Sequence, residues 1–126
     1  MKMKKMLVII ALSTTTFIAS AAADNSISVY ATQGSLGSIS TGNKSVHTKR
    51  FDIVIVNLGG NAIDLNNICL SAYTPDGKKF ELDTVEETLA NDSLKPNLPV
   101  KGFAVFSSQD DSVYKSTLVK ASTDCK

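Results

Sequence analysis

The stretch Val46-His47-Thr48-Lys49-Arg50-Phe51-Asp52-Ile53-Val54-Ile55-Val56-Asn57 decides the fold class. Phe51, Ile53 and Ile55 fall on one side of an extended chain; Val54 and Val56 fall on the other, after Arg50 and Asp52. Two-residue alternation of β-branched and aromatic side chains is the pattern of a strand. A polar start and an end that is apolar on both sides predict a strand that enters the middle of a sandwich.

Working outward, the neighbours are also short β patterns separated by turn residues. Upstream, Ile27-Ser28-Val29-Tyr30-Ala31 alternates and predicts a strand. The Gly/Ser/Thr-rich segment Gln33 to Lys44 follows and predicts a flexible loop, with room for a short edge strand at Leu36 to Ile39. A phosphate-cradling loop would need a helix after it, and Val46 opens a strand instead. Downstream, Asn57-Leu58-Gly59-Gly60-Asn61 predicts a turn, since Gly and Asn tolerate positive φ. Ala62 to Leu65 and Ile68 to Tyr73 predict two further strands.

Thr74-Pro75-Asp76-Gly77 is the clearest hairpin signal, and Lys78 to Leu82 is its return strand. Thr84-Val85-Glu86-Glu87 fits a capping box, but its β-branched residues suit an extended chain equally, so Asp83 to Ala90 stays open between helix and strand. Asn91 to Pro99 reads as loop, Val100 to Phe106 as a buried strand, Ser107 to Ser112 as a turn, and Val113 to Ala121 as a last strand. Seven or eight short strands at regular spacing predict an all-β, antiparallel sandwich, with a small β-barrel as second choice.

The N-terminus carries an address. Lys2, Lys4 and Lys5 precede the apolar run Met6 to Leu12, which recovers at Phe17-Ile18-Ala19 after a Ser-Thr cluster, and Ser20-Ala21-Ala22-Ala23 then leads to Asp24. A basic, an apolar and a small-x-small region in this order predict a secretory signal peptide over residues 1–23. Cleavage is expected between Ala23 and Asp24, with Ala19-x-Ala21 as the competing site. The alternative, a retained anchor, needs about 20 apolar residues without interruption.

Removal of the signal takes away all three Met and three of the 13 basic residues, which turns the formal charge of +1 negative. The remaining chain of about 100 residues is the size of one domain, residues 24–126, with no second apolar stretch of spanning length. A weakly acidic domain with scattered Lys has no electrostatic footprint for nucleic acid. The expected location is the periplasm or the medium.

In that oxidising setting Cys69 and Cys125, the only two cysteines, are most simply read as a structural disulfide. A redox or metal pair would show a C-x-x-C spacing or a neighbouring His, and neither is present.

The sequence carries no recognisable catalytic, cofactor-binding or metal-binding set. His47 is the single histidine, and Ser45 beside it lies on the same strand face without a nucleophile elbow. Gln109-Asp110-Asp111 lacks the spacing of a calcium loop. Asp83, Glu86 and Glu87 read as a solvated edge, and the absence of Trp weakens a sugar-stacking role.

The order of the pieces has a likeness. The run to Asn57-Leu58-Gly59, the strand with Ile63-x-Leu65, the hairpin Tyr73 to Phe80, and Leu94-Lys95-Pro96 before Val100 to Phe106 resemble small exported immunoglobulin-like domains. In particular they resemble an uncharacterised Gram-negative family of this length. The resemblance covers residues 46 to 121. It implies the fold and brings no catalytic residue, and the chain departs from antibody-type domains in lacking their core Trp and Cys spacing.

The reading is a non-catalytic exported binding module with an unknown macromolecular partner, the loops Gln33–Lys44 and Asp83–Pro99 and the edge strands being its expected contact surfaces. Alternatives are a small inhibitor of a lysozyme or protease, and a fimbrial subunit. The complete strand count and a C-terminal Cys weigh against the last.

Overall fold

The alternating stretch Val46 to Asn57 lies in strand β2, Lys44–Asn57, which is bonded on both sides. The computed structural model describes residues 26–125, so the signal segment and its cleavage site at Ala23 and Asp24 lie outside the described residues. Eight strands are present among them: β1 (Ile27–Thr41), β2, β3 (Ile63–Asp64), β4 (Cys69–Tyr73), β5 (Lys79–Val85), β6 (Ser93–Leu94), β7 (Val100–Ser108) and β8 (Leu118–Ser122). Six of them make one antiparallel sheet in the order β1-β2-β7-β5-β4-β8, and β3 pairs with β6 as a small second sheet. The fold is all-β and antiparallel, as the sequence predicts.

The six-stranded sheet curls on itself, so that its two ends, β1 and β8, approach one another. Its concave face encloses the core. Phe51, Ile53 and Ile55 of β2 face Ala104 and Phe106 of β7, and Leu70, Ala72, Phe80, Val119 and Ala121 close in from β4, β5 and β8. The Phe51 and Phe106 rings meet edge to face with centroids 5.8 Å apart, a favoured geometry for aromatic pairs. The opposite side of the same strands is half exposed. There the Arg50 guanidinium lies 4.4 Å from the Phe103 ring centre.

Several local expectations change. Gln33 to Lys44 is no loop: β1 continues through Thr41 and pairs with β2 back to Thr41↔Lys44. β1 and β2 are therefore long, 15 and 14 residues, rather than short. The glycines lower intrinsic strand preference, but a cross-strand ladder running to Thr41↔Lys44 outweighs it. One irregularity between Gln33 and Leu36 absorbs Gly34, where a Cβ would stand 2.9 Å from the Arg50 carbonyl oxygen. At Asn57–Asn61 neither Gly59 nor Gly60 takes positive φ. The Asn57 side chain organises that turn instead, accepting from Gly59 N at 2.8 Å and donating to Asn61 O and Leu94 O.

Leu65 leaves the predicted strand and begins a 3-10 turn, Leu65–Asn67, which Asp64 caps through Asn66 N. Asp83 to Ala90, left open by the sequence, divides into strand to Val85 and a 3-10 turn at Glu87–Leu89. The capping box does not form, because Thr84 is inside β5 and the cap position is Glu86, which makes no side-chain cap bond. The loop Asn91 to Pro99 contains β6, which Leu94 anchors in the core. Val113 to Ala121 is not one strand: Asp111–Lys115 is a 3-10 turn, and β8 starts only at Leu118.

The predicted hairpin turn holds. Gly77 has φ 95°, its N–H donates to Thr74 O at 2.9 Å, and Lys78 N donates to the Thr74 hydroxyl at 2.9 Å. Cys69 and Cys125 are joined in a disulfide with Cα atoms 5.5 Å apart.

Candidate interaction site

β1 and β2 outrun the sheet. β7 pairs with β2 from His47↔Ser108 to Ile55↔Val100, so Lys44, Ser45 and Val46 have β1 alone beside them. The result is a two-stranded ribbon that closes at Gly42 and Asn43. Four of the seven large exposed apolar residues among those described, Tyr30, Leu36, Ile39 and Val46, are on these two strands. Ile39 and Val46 face one another across the ribbon, and Leu36 pairs with Lys49.

The ribbon base is clamped by the 3-10 turn Asp111–Lys115. Val113 of that turn is fully buried, and it fixes Tyr114 beneath the ribbon. The Tyr114 hydroxyl donates to Gly37 O at 2.8 Å, and its ring meets His47 edge-on with centroids 5.5 Å apart. Lys49 completes the clamp. It is 3% exposed, and its ammonium donates to Gln33 Oε1 at 2.6 Å, Tyr114 O at 2.9 Å and Ser116 O at 2.6 Å. Three acceptors match the three N–H bonds of an ammonium. All three are neutral, and burial lowers the Lys49 pKa from its usual value. Its chemistry is that of a structural cross-link between β1, β2 and the turn; saturated donors leave no lone pair for nucleophilic work.

The residues singled out by sequence fall into separate places. His47 is half buried on the inner side of the ribbon, its Nδ1 shielded and without a hydrogen-bond partner. Ser45 meets only the Ser40 hydroxyl, 3.3 Å away across the ribbon. Asp110 caps the 3-10 turn by accepting from Ser112 N at 2.9 Å and from the Ser112 hydroxyl, and that hydroxyl bond is the main reason its pKa lies below the usual carboxylate value. Asp76 is lowered in the same way, by the Thr74 hydroxyl first.

Glu86 accepts from Phe103 N at 3.1 Å, Asp83 pairs with the Thr84 hydroxyl, and Glu87 opens the second 3-10 turn. Gln109 and Asp111 are exposed beside Asp110, and Gln109 and Asp110 line an open depression of about 590 Å³ with Lys78, Glu81 and Ser108. Its mixed charges do not converge on a point. Among the described residues no group of three His, Cys, Asp or Glu side chains is placed to hold a metal ion.

Lys49, Tyr114 and Ser116 were not visible as site residues in the sequence. A signal for Lys49 existed: the alternation that sends Phe51, Ile53 and Ile55 inward also sends Lys49 and His47 to that side.

A family model described as Domain of unknown function (DUF4354) matches residues 1–123. The chain belongs to this family. It is also similar to the crystal structure of an ApaG protein from Pseudomonas aeruginosa PAO1, with 44% identity and a TM-score of 0.74, covering 82% of this chain and 100% of that one. No curated protein matches the chain. Among the described residues no helix is long and apolar enough to cross a membrane.

Proposed function

We infer that the protein is an exported, non-catalytic immunoglobulin-like binding module of the periplasm or medium, and that the β1–β2 ribbon is its contact element. The observation that carries this reading is the concentration of exposed Leu36, Ile39 and Val46 on a ribbon held rigid by Lys49 and Tyr114. Large apolar side chains grouped on one rigid projection are the usual mark of an interaction surface. Export draws support from the signal-like order of residues 1–23, which the family match includes, and from the Cys69–Cys125 bridge.

The test is a photo-crosslinking amino acid placed at Ile39 in the cell-expressed chain, with Leu98, equally exposed but off the ribbon, as control. Specific adducts at position 39 alone are expected. Adducts at neither position, or equally at both, would remove the reading.

The rigidity of the ribbon favours a second reading, a small inhibitor that plugs an enzyme cleft. It predicts inhibition of a lysozyme or a protease at micromolar protein, lost on Ile39→Lys; a panel of such enzymes left fully active rejects it.

A further inference from the structure

We propose that the outer edge of β1 pairs with the same edge of a second copy, giving two chains one continuous antiparallel sheet about a two-fold axis. This rests on the ribbon being the contact element and names what it contacts.

The backbone states what kind of partner fits. β1 is the terminal strand of the sheet, bonded to β2 on one side only. Away from the stretch that β8 approaches, its other side presents a row of N–H and C=O groups that another extended strand can satisfy along its length. Proteins ordinarily protect such edges with charges, proline, brevity or a bulge. β1 has one bulge, at Gln33–Leu36, and neither charge, proline nor brevity: Ile27 to Thr41 is 15 residues long and contains no Asp, Glu, Lys, Arg or Pro. The opposite edge strand, β8, is five residues long and carries Lys120.

Within β1 the halves differ. Ile27, Val29 and Ala31 pack on the core. Beyond the irregularity at Gln33–Leu36, the strand is exposed, with Leu36 54% and Ile39 63% accessible. Leu36 and Ile39 are an odd number of residues apart, so they point to opposite faces of the ribbon. A strand added at this edge is therefore flanked by apolar surface on both faces.

The charge pattern of β1 fits a second copy. In a two-fold antiparallel pair, residue i lies opposite j and j opposite i, so a charge near the axis meets its own copy. The segment Gln33-Gly34-Ser35-Leu36-Gly37-Ser38-Ile39-Ser40-Thr41 carries no charge and is compatible with itself in every register. Lys44, the nearest cation in sequence, belongs to β2, one strand away from the seam.

A seam of nine residues is about 30 Å long. A strip of that length buries a few hundred Å² per copy, below the roughly 800 Å² of a stable complex. The dimer is therefore an exchanging one that forms with concentration.

Sedimentation equilibrium of the protein as cells process it, from about 1 µM to 1 mM, reads this directly; the range brackets micromolar to millimolar dissociation constants. The weight-average mass is expected to climb from one chain towards two. Ile39→Lys and Ser38→Lys, both at exposed positions, are expected to weaken association at least tenfold, with an unchanged far-ultraviolet spectrum. Leu98→Lys is expected to leave it unaltered. A monomer over the whole range, or a dimer indifferent to both edge lysines, overturns the proposal. If the chain is monomeric but position 39 still crosslinks to another protein in cells, self-pairing fails and the ribbon as contact element stands. If position 39 also fails to crosslink, both fail.

Discussion

Lys49 shows at the scale of one residue how this small core admits a charge. Burial disfavours its ammonium, while three short hydrogen bonds to neutral oxygens hold it. Lys49→Met leaves two main-chain carbonyls unpaired, and each buried unpaired group costs about 1–3 kcal/mol. Loss of that order in the unfolding free energy at neutral pH is expected, measured by urea titration.

The pH dependence has a definite sign. The folded-state pKa lies below the usual 10.5, so in the window beneath 10.5 the unfolded chain binds more protons than the folded one. Stability contributed by this site therefore rises with pH through that window. The gap between wild type and Lys49→Met should widen as pH rises towards 10.5; a gap that narrows would show that burial is not what sets this pKa.

Asn57 is another buried polar anchor, with its amide shared among Gly59 N, Asn61 O and Leu94 O. Asn57→Ala removes the side-chain bonds to Leu94 O and Asn61 O and frees the turn before β3. A loss of about 1–3 kcal/mol is expected from the same titration. Neither role was legible from residue type alone. The sequence put Asn57 in a turn, correctly, but which polar turn residue is buried depends on β6 arriving from 37 positions away.

At the scale of elements, the strands with strict alternation were legible and the glycine-rich ones were not. Phe51, Ile53 and Ile55, and Ala104 with Phe106, face the core as their spacing predicts. Gln33 to Lys44 has the composition of a loop, yet its residues bond to β2 along the ladder, so tertiary pairing overrides local preference. Val113 to Ala121 erred the other way. Its alternation is real, but Asp110 and Ser116 turn the first residues into a capped 3-10 turn whose Val113 and Tyr114 serve two different neighbours.

That turn sets the dynamics of the ribbon. Tyr114→Phe removes only the bond to Gly37 O, worth about 0.5–1.5 kcal/mol net. Amides of residues 36–48 are expected to exchange roughly two- to tenfold faster by hydrogen-exchange mass spectrometry, with β4, β5 and β8 unaffected. Equal acceleration everywhere would mean that the tyrosine supports the whole core and not the ribbon.

At the scale of the molecule, the disulfide acts on a chain whose native contacts scarcely need it. Cys69 opens β4, and Cys125 follows β8, which already pairs with β4 from Cys69↔Ser122 to Tyr73↔Leu118. Cutting the bridge in the folded state releases only the few exposed residues after Ser122. In the unfolded chain the same bridge closes a loop spanning 56 positions, and the chain-entropy model assigns about 4 kcal/mol to a closure of that length. The stabilisation thus belongs to the unfolded ensemble. Replacing both cysteines by serine is expected to lower the unfolding free energy by about 4 kcal/mol, while backbone NMR shifts change only near Cys69 and beyond Ser122. The urea m-value should rise, because an unbridged chain exposes more surface when it unfolds. A small loss of stability with an unchanged m-value would mean that the bridge adds little constraint. Widespread native shift changes would instead mean that it shapes the sheet, and that the curl bringing β8 towards β1 depends on it.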